Sequence, residues 1–292
     1  MSYSECNIGA VCPYEISMGG FRSRYQSFYD DPHAFQIDSF CIFGNLYYVG
    51  DKKVCMHLID TGDGLILIDT GYGNTLDMIL ESIITLGFSP EDIRYIIHTH
   101  GHFDHFGSTD ALRQRYGCKV FMSKVDTELI RERPERALCH LGPDPNMPIC
   151  WPDVEIEDGD CITLGNTSIR CQLAPGHTMG TLALFFDVTD GQTVKRAGLW
   201  GGVGFLTIYK EYCREMGLPE TKCALMAQSI RQLWDEPVDI MLGNHPGQNC
   251  TLEKRQYALE NPGSNPFINP HAWRIFLTEL EAGRKEFEDM GY

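Results

Sequence analysis

The sequence predicts a layered α/β fold, on three observations. Short strand-like runs of apolar and β-branched residues alternate with segments of helical apolar spacing. No Pro/Ser-rich linker, internal repeat or low-complexity stretch divides the 292 residues. At 43% hydrophobic and 22% charged, the chain has ample apolar side chains for a core.

Residues 40–49 and 54–59 read as strands, and Thr61-Gly62-Asp63-Gly64 supplies the turn chemistry into another strand over 65–68. Leu76, Ile79, Leu80, Ile83 and Ile84 stand at helical spacing, with Gly87 as the stop. Ser89-Pro90-Glu91-Asp92 then leads into an apolar strand over 93–97. A short helix over 110–116 ends at Gly117 and is followed by a strand over 119–122. The second half repeats this texture, with strands at 162–164, 168–174, 182–188 and 196–200, a helix near 223–234 and a strand over 238–242. Pro270, a good first-turn residue, opens a last helix running to about residue 289.

Forty acidic against 24 basic side chains give a net charge of −16, and Lys and Arg are not gathered into blocks. Nucleic acid is therefore not an expected partner, because phosphate binding needs a basic surface. No window reaches the apolar length of a membrane span, and the N-terminus lacks a basic start followed by an apolar run. These features lead us to expect a cytoplasmic protein with no membrane contact. The twelve cysteines are scattered without a Cys-x-x-Cys pair and read as buried thiols rather than a disulfide framework.

The chemistry concentrates in His98-Thr99-His100-Gly101-His102-Phe103-Asp104-His105, four imidazoles and a carboxylate in eight residues. Imidazole nitrogen and carboxylate oxygen are ligands that zinc accepts, and so many titratable groups after an apolar strand would be costly without a metal to pair with them. Asp104 and His105 are adjacent on a turn, so they are expected to diverge and serve different ions. Counting back from Asp104 by two and four gives His102 and His100 as a pair converging on one ion, and leaves His98 as a supporting or core residue.

Thr99 to His105 resembles the signature of the metallo-β-lactamase fold superfamily. Leu67-Ile68-Asp69-Thr70-Gly71 is similar to its first motif and Pro175-Gly176-His177-Thr178 to its third, in the expected order, and the similarity covers roughly residues 38–290. The resemblance implies a four-layer αββα sandwich with a dinuclear site at the edge of its two sheets. Residues 38–292 would form the hydrolase domain, with residues 1–37 an N-terminal extension packed on it. No Asp or Cys follows the strand that ends Ala197-Gly198-Leu199-Trp200-Gly201-Gly202-Val203-Gly204, where many members place a bridging acid. His245, just past the 238–242 strand, remains. The pattern is thus similar to metallo-β-lactamases of the third subclass, whose second zinc takes Asp, His and His. Carried over, this gives a first site of His100, His102 and His177 and a second of Asp104, His105 and His245.

The resemblance further implies two Zn²⁺, with iron or manganese as the other candidates, and Asp104 as the catalytic carboxylate that holds activated water. Asp69 would orient the ligand loop through hydrogen bonds. The expected reaction is zinc-dependent hydrolysis of a small-molecule amide (β-lactam-like) or ester. An intracellular lactonase or thioesterase of the same fold, or a catalytically silent metal-binding member, is the alternative. A homo-oligomer stays open. Tyr72, Tyr209 and the 134–152 loop with His140 and Trp151 are candidates for lining the pocket, as are the aromatic residues between Phe21 and Tyr29 for capping it.

Overall fold

In the computed structural model, which describes residues 14–292, two sheets lie face to face between helices. The first sheet has the order β1 (Phe40–Phe43), β2 (Leu46–Tyr48), β3 (His57–Asp60), β4 (Leu65–Ile68), β5 (Ile93–Ile97), β6 (Lys119–Ser123) and β7 (Val154–Ile156). Its first four strands pair antiparallel, and β4 to β7 pair parallel. The second runs β12 (Ile240–Leu242), β11 (Val194–Trp200), β10 (Leu182–Thr189), β9 (Thr167–Leu173), β8 (Cys161–Leu164), antiparallel except at the β11–β12 edge.

Period-two alternation sorts the core into its layers. On β3, β4 and β5 the side chains of Ile59, Ile66, Ile68 and Ile97 meet Leu182, Leu184 and Phe186 of β10 between the sheets. The alternate residues Leu58, Leu65, Leu67 and Ile96 face outward with Ile79 and Ile83 of α3 (Leu76–Thr85) and Leu112 of α5 (Thr109–Tyr116). On the other side Ala183, Phe185 and Trp200 join Met226 and Ile230 of α8 (Lys222–Gln232) and Phe276, Leu277 and Leu280 of α10 (Ala272–Asp289). The arrangement is the expected αββα sandwich.

Several local expectations are corrected. The apolar run over 40–49 is a hairpin and not one strand, because Gly44 turns at φ +54 where a Cβ would sit 2.1 Å from the Thr189 carbonyl oxygen. Helices α6 (Lys124–Glu132), α7 (Lys210–Met216) and α9 (Thr251–Glu260) were not foreseen, although α6 is amphipathic. Cys41, Cys55, Cys118, Cys139, Cys150, Cys161, Cys171, Cys213 and Cys223 are free thiols, whereas Cys250 is disulfide-bonded and departs from the all-thiol reading.

The stretch over residues 14–35 forms α1 (Tyr14–Gly19), α2 (Phe21–Asp30) and a 3₁₀ turn, and residues 1–13 of the expected N-terminal extension lie outside the described part. Phe28 of α2 is fully buried, 4.8 Å edge-on from Tyr72. Phe21 lies 6.5 Å from Phe103, beside the histidine loop. Among the described residues, no helix is long and apolar enough to cross a membrane.

Candidate metal centre

The site forms where the parallel edge of one sheet meets the second sheet. β5 ends at Ile97 and its chain crosses over, so that the Leu182 amide of β10 donates to the Thr99 carbonyl at 2.9 Å. His100 and His102 follow in the loop, and α4 (Phe103–Phe106) carries Asp104 and His105. His177 sits in the β9–β10 turn and His245 just past β12.

Two groups of donors result. Ligand atoms of His100, His102 and His177 lie within 4.8 Å of one another, as do those of His100, Asp104 and His105. His245 stands beside the second group, its Nε2 3.7 Å from Asp104 Oδ2, and its side chain is 34% exposed. Asp104 and His105 do not diverge as expected. One helical turn holds them together, with His105 Nε2 3.5 Å from Asp104 Oδ2.

Hydrogen bonds fix which nitrogen faces the centre in His100, His105, His177 and His245. His177 Nδ1 donates to the Gly204 carbonyl at 2.7 Å, His245 Nδ1 to the Lys53 carbonyl at 2.7 Å, and His105 Nδ1 to Asp69 Oδ2 at 2.8 Å. Thr99 gives its hydroxyl proton to Asp69 Oδ2, so His100 Nδ1 donates to the Thr99 oxygen at 3.2 Å. The inward nitrogens are thereby left as lone pairs. His100 Nε2 and His105 Nε2 are buried with no hydrogen-bond partner, and His102 Nδ1 faces His177 Nε2 at 3.0 Å. Buried polar atoms of this kind are costly unless a cation meets them. The donor set, nitrogen-rich with one carboxylate, fits zinc.

Electrostatics agree with the geometry in the first group, whereas in the second burial opposes the charge on His105 but Asp104 and Asp69 raise its pKa. Burial pushes the imidazoles of His100 and His102 well below the usual range and His177 down to about 3, the neighbouring histidines adding to the shift of the first two. They are therefore neutral, as ligation requires. Asp69 is buried, which works against its charge, yet His105 and His98 beside it hold its carboxyl well below the ordinary carboxylate range. It takes a left-handed φ of +60 at the end of β4, a strained conformation that aims both oxygens at the loop, one accepting the Thr99 amide at 2.8 Å. Asp60, in the other Ile-Asp-Thr-Gly copy, only caps its own turn through the Gly62 amide. His98 is not among the donors. Its Nε2 meets Thr109 Oγ1 at 3.0 Å and its Nδ1 lies 3.6 Å from Asp69.

Sequence reasoning missed the braces behind this loop system. Asp126 of α6 accepts from the Gly101 amide (2.9 Å), the Thr178 hydroxyl (2.8 Å) and the Gly180 amide (2.8 Å), tying the histidine loop to the His177 turn. Lys222, fully buried on α8, donates to the His177 carbonyl at 2.9 Å and the Thr207 carbonyl at 2.7 Å. Gly202 has its own reason, since a Cβ there would lie 2.5 Å from the His177 ring. The absence of an Asp or Cys at that position was legible; its cause was not.

A cleft of about 350 Å³ opens over the centre. Phe21 and Tyr25 of α2 close one side, Gly202 to Gly204 another, and Lys52 and Lys53 a third. Of the other pocket candidates, Tyr72 is buried among Phe28, Tyr29 and Phe103, and Tyr209 packs on Tyr14 and Phe287. Trp151 lies on the surface beside Arg131, and from the 134–152 loop Leu138 lines the cleft while His140 does not.

This sandwich and its donor set place the chain in the metallo-beta-lactamase superfamily, whose sequence profile matches residues 50–189. An uncharacterized protein of Aquifex aeolicus is 33% identical over 177 residues, which span 60% of this chain and 76% of that one. A hydroxyacylglutathione hydrolase of Anaeromyxobacter dehalogenans is 27% identical over 230 residues, 77% of this chain and 71% of the relative. Among solved structures, BJP-1, a subclass B3 metallo-beta-lactamase of Bradyrhizobium japonicum, superposes with a TM-score of 0.75 at 26% identity, covering 86% of this chain and 94% of its own.

Proposed function

We propose that the protein is a dinuclear zinc-dependent hydrolase that opens an amide or ester bond in a small molecule. The observation that carries this reading is the pair of partnerless buried nitrogens, His100 Nε2 and His105 Nε2, one in each donor group. We assign His100, His102 and His177 to the first ion and Asp104, His105 and His245 to the second. When bound, two zinc ions would polarise a carbonyl oxygen and lower the pKa of water in the site.

The chain's own residues do the rest. Asp104 is the one carboxylate among the cleft-lining residues, and we give it the task of accepting a hydrogen from the attacking water and orienting it toward the cleft. Asp69 keeps His105 and the 99–100 backbone fixed while this happens. Phe21 and Tyr25 shield the reacting atoms from bulk water. Water adds across the scissile C–N or C–O bond, yielding a carboxylate with an amine or alcohol.

A lactone or thioester substrate is the second reading. It is favoured by the likeness to a hydroxyacylglutathione hydrolase and by the wall at Gly202 and Gly204, which offers no hydroxyl to a substrate. The test is metal content of protein purified without chelator, beside His245→Ala and Asp104→Asn, followed by hydrolysis of nitrocefin, acyl-homoserine lactones and thioesters. About two zincs per chain, falling to about one in His245→Ala, with turnover lost in Asp104→Asn, is the expected result. Two metals with no hydrolysis of any ester, thioester or amide would leave a silent metal-binding protein instead.

A further inference from the structure

The chain carries 16 more acidic than basic side chains, yet the cleft over the metal centre is basic. Its lining holds Lys52 and Lys53 against a single carboxylate, Asp104, which is already committed to the histidines. Lys53 is the better placed of the two. Lys52 is exposed and donates to the Ala34 carbonyl at 3.2 Å. Lys53 is half-buried, its ammonium 5.1 Å from the ring centre of Tyr25 and 4.9 Å from that of Phe35, and no ion pair engages it among the described residues.

The backbone under this ammonium is held on both sides. Asp51 Oδ1 accepts the Lys53 amide at 2.6 Å, and the Lys53 carbonyl accepts from His245 Nδ1 at 2.7 Å. The Lys53 backbone is therefore fixed beside His245, and its side chain is not part of the donor groups. Two aromatic faces at the same wall, Phe21 and Tyr25 stacked at 4.8 Å, give an apolar surface next to the charge. The glycine wall across the cleft offers no competing cation.

We propose that Lys53 is an anion-binding residue for the substrate, and that the substrate class is a small molecule pairing a carboxylate with an apolar face that lies on Phe21 and Tyr25. A partly desolvated ammonium held by rings, near Asp51 but in no ion pair among the described residues, gains a charge-assisted hydrogen bond when a carboxylate arrives. The inference rests on the hydrolase reading for what happens next, but the binding can be measured without turnover.

The test compares binding of 2-naphthoate and its neutral isostere 2-naphthamide by calorimetry, on metal-loaded wild type, Lys53→Met and Lys53→Arg. Wild type is expected to favour naphthoate by about tenfold or more, a preference that shrinks as salt rises. Lys53→Arg should keep it and Lys53→Met should lose it. Metal content should stay at the wild-type level in both, because His245 uses the backbone carbonyl. No preference in wild type, or the wild-type preference persisting in Lys53→Met, overturns the proposal; the second result would send the anion to the metals. A protein that binds both metals, hydrolyses nothing and still shows the Lys53-dependent preference would sink the hydrolase reading alone.

Discussion

At the scale of single residues, the centre is governed by what has no side chain as much as by what does. Gly202 lies under the His177 ring, and a methyl there would meet Cδ2 at 2.5 Å and Cγ at 3.0 Å. Gly202→Ala must therefore push His177 out of the first donor group or distort the turn after β11. We expect metal affinity at that group to fall by about 10- to 100-fold, the scale of displacing a ligand's support, with a stability loss of about 1–3 kcal/mol. A chelator competition titration beside a denaturation curve reads both, and a variant with wild-type affinity would remove the steric account. The clustering of His100, His102, Asp104 and His105 was legible because imidazoles at fixed short spacing have few other uses. The divergence expected of Asp104 and His105 failed because the loop closes into a helical turn, which local spacing does not announce.

At the scale of elements, the two turns that carry histidines are held by helices the sequence left undescribed or unassigned to the site. Asp126 stands at the start of α6, where Ser123 caps the helix, so its local pattern reads as helix-end chemistry and nothing more. Its three hydrogen bonds reach across 25, 52 and 54 residues of sequence. Asp126→Ala leaves the Gly101 and Gly180 amides buried and unmet, a cost of about 2–5 kcal/mol. The urea midpoint should drop accordingly, and metal binding should weaken with it because both histidine turns lose their brace. An Asp126→Ala protein of unchanged midpoint would show that other contacts hold these turns. Lys222 escaped notice for a similar reason: a lysine opening a helix reads as solvated, and only tertiary packing turns it inward onto the His177 and Thr207 carbonyls. Most strands and α3, by contrast, were legible close to their ends, since each buries an apolar face against a neighbour, but the 40–49 run splits at Gly44 and β7 was not foreseen.

For the whole molecule, acid sensitivity follows from a histidine outside the donor groups. His57 on β3 is fully buried, with Nε2 donating to the Gly243 carbonyl at 3.0 Å, and burial lowers its pKa to about 4. Below about pH 6.5 the unfolded chain takes up a proton at this position and the folded chain does not until about pH 4. Stability from His57 is thus present at neutral pH and lost as pH falls through that window, by about 3 kcal/mol at most. Asp51, buried and raised to about 6, works in the opposite direction between its ordinary pKa and that value. The informative quantity is therefore the difference between wild type and His57→Gln, where glutamine keeps a donor for Gly243. We expect the melting temperature of wild type to fall more steeply from pH 6.5 to pH 4 than that of the variant. Parallel curves would mean His57 is not the titrating group.

The crossing of the donor groups between the sheets has a consequence for how the protein is made. His102 meets His177 across 75 residues, and Asp104 meets His245 still further along the chain. Each group draws most of its atoms from the half that emerges early and its last nitrogen from the half that emerges late. A nascent chain can present His100, His102, Asp104 and His105 long before their partners exist, and the brace on His177 waits for residues 207 and 222. On the proposed assignment a metal ion would be fully gripped only late in maturation, and a chain interrupted before residue 245 would hold a half-assembled grip on any ion it met.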